Sequence, residues 1–244
     1  HAQIVYAALE SHLSIGSTLI DMYSNCGSLE EAYNVFERLP SRDLICWSSM
    51  ITGCIRGNQD EVALDLFEKM TREGVKADRP MFLCVLKACG NLGATLEGML
   101  MHGQMIEGVI ELDDPLSTML VDMYARCGNL EDAQRVFYSI RHPDVVAWSA
   151  LITGYNENGW WQDSIRIFNR MQVEGIKPDK VLLISVLKAR GNIGDIENGV
   201  LLHESIIEGG FELDISVQVA LINMYIKFGN LEDAHRMFEG LSEK

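Results

Sequence analysis

Several things are scarce in this chain, and each scarcity excludes something. Of its 244 residues only five are proline, too few for a proline-rich linker. Basic residues number 20 against 35 acidic ones, a net charge of −15, so the chain lacks the overall basic footprint by which nucleic-acid binding usually announces itself. No apolar run approaches the roughly 18 residues needed to cross a bilayer. The six cysteines (Cys26, Cys46, Cys54, Cys84, Cys89, Cys127) form no C-x-x-C pair. They are therefore expected as reduced thiols in apolar packing positions, with no zinc or other metal site. The chain opens on His1 with no basic, short-apolar leader, and is expected to be an excerpt of a longer protein. No strand-like alternation bounded by hairpin turns occurs. With 48% hydrophobic residues the chain can nevertheless bury a core.

What is present is repetition. LIDMYSNCGSLEEAYNVFE, from Leu19, returns as LVDMYARCGNLEDAQRVFY from Leu120 and as LINMYIKFGNLEDAHRMFE from Leu221. Gly27, Gly128 and Gly229 lie 101 residues apart; Trp47-Ser48 and Trp148-Ser149, and VLKACGNLG and VLKARGNIG, keep the same interval. The interval divides into blocks of 31, 35 and 35 residues: 13–43, 44–78 and 79–113, then 114–144, 145–179 and 180–214, with 215–244 one residue short of a further 31.

Inside each block the apolar residues follow helical spacing, as with Leu19, Ile20 and Tyr23, then Leu29, Ala32, Phe36 and Leu39. Between the two stripes Cys-Gly-Ser, Cys-Gly-Asn and Phe-Gly-Asn supply a stop glycine and, in Ser28, Asn129 and Asn230, an N-cap for the next helix. Acidic pairs follow at Glu30-Glu31, Glu131-Asp132 and Glu232-Asp233, where a helix N-terminus favours them. In the blocks at 79–113 and 180–214 the turn is expected at the Gly-Asn of VLKACGN and VLKARGN. Each block thus predicts a helix–turn–helix hairpin. A hairpin of this length cannot hide its own apolar stripe, so the hairpins must stack. The expected fold is all-α, a right-handed superhelix of about seven hairpins.

The order of block lengths, together with DMYARCGNLEDAQRVF, VAWSALITGY, FNRMQVEGIKPD and VLKA, resembles the plant pentatricopeptide repeats, and their PLS subclass in particular. The resemblance covers the whole chain: a partial L motif at 1–12, S motifs at 13–43, 114–144 and 215–244, P motifs at 44–78 and 145–179, and L motifs at 79–113 and 180–214. It implies a binder of single-stranded RNA in a plant mitochondrion or chloroplast, the recognition segment of an RNA-processing or C-to-U editing factor. Each P or S hairpin would read one nucleotide through its fifth and last residues: Ser17 with Asp43, Ser48 with Asp78, Thr118 with Asp144, and Ser149 with Asp179. Leu83 with Asp113, Ile184 with Asp214, and Val219 would be weak or degenerate positions. The second residues Ile45 and Val146 would wedge between bases. The thirteenth residues Arg56, Arg126 and Lys227 would meet the RNA backbone; Glu157 departs from that pattern.

The chemistry of the pairs supports a letter. Ionised aspartate accepts hydrogen bonds and donates none, so it suits the imino N–H of G or U and repels A and C. A short Ser or Thr opposite leaves space for a purine, which favours G and gives the register 5′-GG-x-GG-x-x-3′. The closing aspartates can equally be caps or turn residues. That structural role is the expectation for Asp113 and Asp214, and base reading is the expectation for Asp78, Asp144 and Asp179. Trp47 and Trp148, at helical spacing beside core residues, are expected to pack between hairpins. His1, His102 and His203 are too far apart to share a metal. The H-x-E and C-x-x-C signature of a cytidine deaminase is absent, so no enzymatic activity and no cofactor are expected of this chain. The alternative function is a protein-interaction scaffold: an editing-complex partner would dock through the L motifs, or the uncapped ends would self-associate. No membrane partner is expected.

Overall fold

The computed structural model describes residues 12–108, 110, 112–211 and 213–242. Apart from His12, the block at 1–12 lies outside the described residues, as does His1. The described residues hold fourteen α-helices and no strand, numbered here α1 (Leu13–Asn25), α2 (Leu29–Arg38), α3 (Leu44–Arg56), α4 (Asp60–Arg72), α5 (Arg79–Leu92), α6 (Thr95–Glu107), α7 (Asp114–Arg126), α8 (Leu130–Ser139), α9 (Val145–Glu157), α10 (Trp161–Val173), α11 (Lys180–Ile193), α12 (Ile196–Glu208), α13 (Ile215–Lys227) and α14 (Leu231–Ser242). The odd-numbered helices open the hairpins, and they start at intervals of 31, 35, 35, 31, 35 and 35 residues. Among the described residues no helix is long and apolar enough to cross a membrane.

The chain divides into two compact units, His1–Met123 and Tyr124–Lys244, with the division inside α7. In the first unit α1, α3 and α5 pack side by side as one layer, while α2 and α4 each pack on their own hairpin partner and on the opening helix of the next hairpin. The second unit repeats this arrangement: α9, α11 and α13 form the layer, and α10 packs on both α9 and α11.

Large side chains fill the space between the layers. Trp47 and Trp148 are 0% and 1% exposed, and their rings meet Phe36 and Phe137 edge-on at 4.8 and 4.7 Å between centroids. Their indole N–H groups have no acceptor among the described residues, and the rings are held by packing. This places both tryptophans in the core, unavailable to a base. Met70, Met171, Phe67 and Phe168 are buried as well.

Three details differ from the sequence reading. Gly90-Asn91 and Gly191-Asn192 are not turns: α5 and α11 run past them to Gly93 and Gly194, whose φ of +66° and +71° make them the helix stops. Gly191 serves close packing instead, since a Cβ there would meet the Lys227 side chain at 3.2 Å and the Met224 backbone at 3.4 Å. Ser28 sits at its cap position without a side-chain hydrogen bond, unlike Asn129 and Asn230, which accept from the amides of Asp132 and Asp233. Cys26 is an exposed residue at the C-terminus of α1, not a core thiol; Cys46, Cys54 and Cys89 are the buried ones. Burial pushes the Cys46 and Cys54 thiols up to about 11.

A second family of copies differs by a matched exchange. Where the first copy has Cys89 and Ala94, the second has Arg190 and Asp195, and the buried guanidinium pairs with Asp195 at 2.6 Å. Removing either partner alone would leave a buried charge uncompensated.

The closeness of the layer is set by small residues. A Cβ on Gly154 would lie 2.2 Å from the Ala125 Cβ, so Gly154→Ala forces helix separation. We expect it to cost about 1–3 kcal/mol, measured as a lowered urea midpoint with the helical circular dichroism retained.

Candidate nucleic-acid interface

The closing aspartates act first on the backbone. The Oδ1 atoms of Asp43, Asp78, Asp113, Asp144 and Asp179 accept from the amides of Cys46, Met81, Leu116, Ala147 and Leu182, at 3.0, 3.0, 3.1, 2.9 and 2.8 Å. Asp214 Oδ1 accepts from Ser216 and Val217. Every one of these aspartates is therefore an N-cap of the next opening helix.

A carboxylate has a second oxygen, and there the six part company. For Asp78, Asp144 and Asp179 that oxygen has no partner among the described residues. Asp113 Oδ2 is paired with Arg79, and Asp214 Oδ2 with Lys180 at 3.1 Å. Lys180, through its hydrogen bond first of all, holds the Asp214 carboxyl below the usual range. Asp43 helps to hold the neighbouring Cys46 thiol up. Asp113 and Asp214 thus have both carboxylate oxygens engaged within the fold. For the other aspartates capping and a free acceptor coexist.

Four fifth-position hydroxyls, of Ser17, Ser48, Thr118 and Ser149, are half-buried on the opening helices. Ser17 donates to the Ser14 carbonyl at 3.1 Å; the other three have no partner among the described residues. Ser17 and Asp43 belong to packed neighbours α1 and α3, Ser48 and Asp78 to α3 and α5, and Ser149 and Asp179 to α9 and α11. Thr118 lies in the first unit and Asp144 in the second. Leu83 and Ile184 are half-buried, and Val219 is exposed. Ile184 and Val219 both line a cleft of about 330 Å³ with Leu187, Lys188, Asn223 and Lys227, so fifth positions of successive hairpins share one groove.

The second positions are apolar and open: Ile45 is 62% and Val146 56% exposed, at the first turns of α3 and α9. Val181 holds the same place on α11 and is 59% exposed. It was missed by the sequence reading, although its offset from the block start matches Ile45 and Val146.

At the thirteenth positions the structure adds a ladder. Arg56 donates to Asn25 at 2.5 Å and Lys227 to Asn192 at 2.5 Å, each partner being the thirteenth residue of the preceding hairpin. Arg56, Arg126 and Lys227 are exposed and end their helices, where a cation suits the C-terminal dipole. Glu157 is exposed at the same place on α9. Many carboxylates lie instead on the second helices, in pairs such as Arg135 with Glu131 and Asp132, or Arg236 with Glu232 and Asp233. No group of histidine, cysteine or acidic side chains suited to a metal occurs among the described residues.

Comparison with known proteins decides the family. The model of the PPR repeat matches residues 17–44, 45–75, 117–142 and 219–244, and that of the PPR repeat family matches 143–181, together more than half of the chain. The chain belongs to the pentatricopeptide repeat family. The stretches 76–116 and 182–218 between these matches hold the hairpins that start at Arg79 and Lys180. A mitochondrial pentatricopeptide repeat-containing protein of Arabidopsis thaliana is 37% identical over 93% of this chain and 33% of its own length; a chloroplastic one is 37% identical over 97% of this chain and 45% of its own. The chain therefore spans less than half the length of either relative. Among solved structures, the pentatricopeptide repeat protein PPR10 in complex with an 18-nt psaJ RNA element superposes with a TM-score of 0.79 at 17% identity, over 98% of this chain and 36% of that one. The PPR domain of Arabidopsis thaliana protein-only RNase P 1, in complex with tRNA, gives 0.56 at 15% identity over 71% of this chain and 94% of that domain. These likenesses carry the fold.

The two duties of the aspartates are separable. Asp78→Ala removes the cap and is expected to cost about 1 kcal/mol, whereas Asp78→Asn keeps an acceptor for the Met81 amide and stays within a few tenths. Chemical denaturation of both variants checks this; equal losses would contradict the capping assignment.

Proposed function

We propose that this PPR array binds single-stranded RNA sequence-specifically, one nucleotide per hairpin, and favours G at the first, second, fourth and fifth nucleotides of 5′-GG-x-GG-x-x-3′. The observation that carries the proposal is the unspent oxygen on Asp78, Asp144 and Asp179, each closing a hairpin whose fifth residue is a Ser or Thr. That oxygen can accept the imino N–H of G, and the opposite hydroxyl can serve a second edge atom. Ile45 and Val146 supply exposed apolar surface for stacking between bases. Arg56, Arg126 and Lys227 supply positive charge for phosphate. The blocks at 44–78 and 145–179 act as P motifs, the 31-residue blocks and 215–244 as S motifs, and those at 79–113 and 180–214 as L motifs.

The RNA complexes of the two structural neighbours support the class of ligand, and the mitochondrial and chloroplastic relatives support an organellar setting. The role we assign is recognition inside an organellar processing or C-to-U editing factor, with no catalytic step in these residues. A scaffold reading, in which a partner protein occupies the apolar cleft at Ile184 and Val219, is favoured by that cleft alone.

Binding measured by gel shift should favour the GG-x-GG oligonucleotide over its A-substituted version by about tenfold or more, since each lost hydrogen bond to a charged group is worth roughly 1.5–3 kcal/mol. Asp78→Asn and Asp179→Asn should move preference from G towards A at the second and fifth nucleotides. With a net charge of −15, affinity should be modest and fall steeply between low and physiological salt. Equal binding of both oligonucleotides sinks the code. A co-purifying protein with no RNA retained at low salt favours the scaffold.

A further inference from the structure

Two hairpins carry a closing aspartate whose second oxygen is already taken, and the same feature explains both. The hairpin that starts at Arg79 ends at Asp113, and Arg79 reaches across to Asp113 Oδ2; the hairpin that starts at Lys180 ends at Asp214, and Lys180 reaches Asp214 Oδ2 at 3.1 Å. In each case the first residue of an opening helix meets the cap of the next opening helix in the layer, 34 residues on. The hairpins closed by Asp43, Asp78, Asp144 and Asp179 begin with Leu13, Leu44, Asp114 and Val145, none of which carries a positive charge. The presence of a first-position cation therefore sorts the six caps into two groups, and it does so in two copies 101 residues apart.

We infer that Arg79 and Lys180 are specificity-determining residues: each holds the outward oxygen of the aspartate that closes its own hairpin, and so withholds from an RNA base the carboxylate that Asp78, Asp144 and Asp179 leave open. The inference rests on the RNA reading above. It assigns a cause to the third and sixth nucleotides of the register, which the apolar Leu83 and Ile184 leave only half explained.

The physical reason is local. A reading aspartate needs a free lone pair and a negative potential, because it selects G or U by accepting an imino N–H and rejects A and C by repelling a ring-nitrogen acceptor. With Oδ1 on the cap amides and Oδ2 on a cation, neither remains: the site is occupied and its charge balanced. Lys180 also holds the Asp214 carboxyl in its charged form below the usual range, as a persistent partner does. Both pairs are partly exposed, so their contribution is to occupancy of the oxygen and little to stability. An apolar fifth residue alone would remove one hydrogen bond and leave a carboxylate able to discriminate. The cation removes the discrimination itself.

The test separates the two contributions at the third nucleotide. In the full 244-residue chain, Leu83→Ser restores a polar fifth residue, and Arg79→Val with Leu83→Ser also frees Asp113, valine being the native first residue at Val145. Binding to 5′-GGGGGUU-3′ and 5′-GGAGGUU-3′ is followed by fluorescence anisotropy, with circular dichroism confirming the fold. Leu83→Ser alone is expected to prefer G over A by less than about twofold, and the double variant by about tenfold, the effect of one hydrogen bond to a charged group. Lys180→Val with Ile184→Ser, read at the sixth nucleotide, repeats the comparison independently should the first pair of substitutions not fold. The inference is overturned if Leu83→Ser discriminates as strongly as the double variant, or if the double variants stay indifferent while G-to-A at the second nucleotide still weakens binding. Should the second nucleotide also be indifferent in the unmodified chain, the RNA code falls, and this inference with it.

Discussion

A carboxylate oxygen on the third amide of the following helix sets the start of six of the seven opening helices, all but α1. The unsatisfied N–H groups at the start of a helix need an acceptor, and an aspartate immediately before the first turn supplies one. That bond decides where the opening helix begins, and counting from a fixed start determines which residues look into the layer and which look out. Cys46 and Trp47, the third and fourth residues of α3, turn into the core; Ser48, the fifth, is half-open, and Ile45, the second, is exposed. The same count on α9 buries Ala147 and Trp148 and leaves Ser149 half-open and Val146 exposed. Shifting a helix start by one residue would rotate this whole pattern by about 100°.

The cap also explains why much of the fold could be read from the sequence. Helical periodicity and a 101-residue interval depend on local chemistry repeated many times, and repeated local chemistry is visible in a string of letters. The opening helices start at Leu13, Leu44, Arg79, Asp114, Val145, Lys180 and Ile215, the first residues of the blocks. What failed was the reading of Gly90-Asn91 and Gly191-Asn192 as turns. Gly90 and Gly191 lie inside helices, and at Gly191 a Cβ would crowd Met224 and Lys227 of the neighbouring helix; sequence gives the residue without the neighbour. Cys26 failed for a related reason: its recurrence as Cys127 suggested packing, but at the C-terminus of α1 it is exposed among the described residues.

The candidate site was legible only in part, and the missing part has one cause. Position in the repeat located Ser48, Asp78, Ser149 and Asp179, but not what each is bonded to. The pairs Arg79–Asp113, Lys180–Asp214, Arg56–Asn25 and Lys227–Asn192 all join residues 31 to 35 apart, a separation that becomes contact only when hairpins stack. The charge balance changes meaning in the same way. A net −15 argues against RNA when averaged over the chain, yet many carboxylates sit on second helices beside arginines of the same helix, while Arg56 and Lys227 end first helices. For a ligand within a Debye length, the local arrangement matters more than the sum.

Capping and reading also constrain one another. The side chains that cap helices well are Asp, Asn, Ser and Thr, because each offers a short polar atom to the backbone. Those same side chains differ in what they offer beyond the cap: a bare acceptor from aspartate, an acceptor and a donor from asparagine, a hydroxyl from serine or threonine. A position constrained to cap is therefore still free to vary in the hydrogen-bonding character it turns outward, and an exchange among these residues costs the fold little. An exchange to an apolar residue costs about 1 kcal/mol and the acceptor together. Stability thus restricts the closing position to the residue types that can distinguish one base from another. On the proposed reading, a hairpin falls silent with its cap left in place and its second oxygen covered, and Arg79 and Lys180 cover those of Asp113 and Asp214.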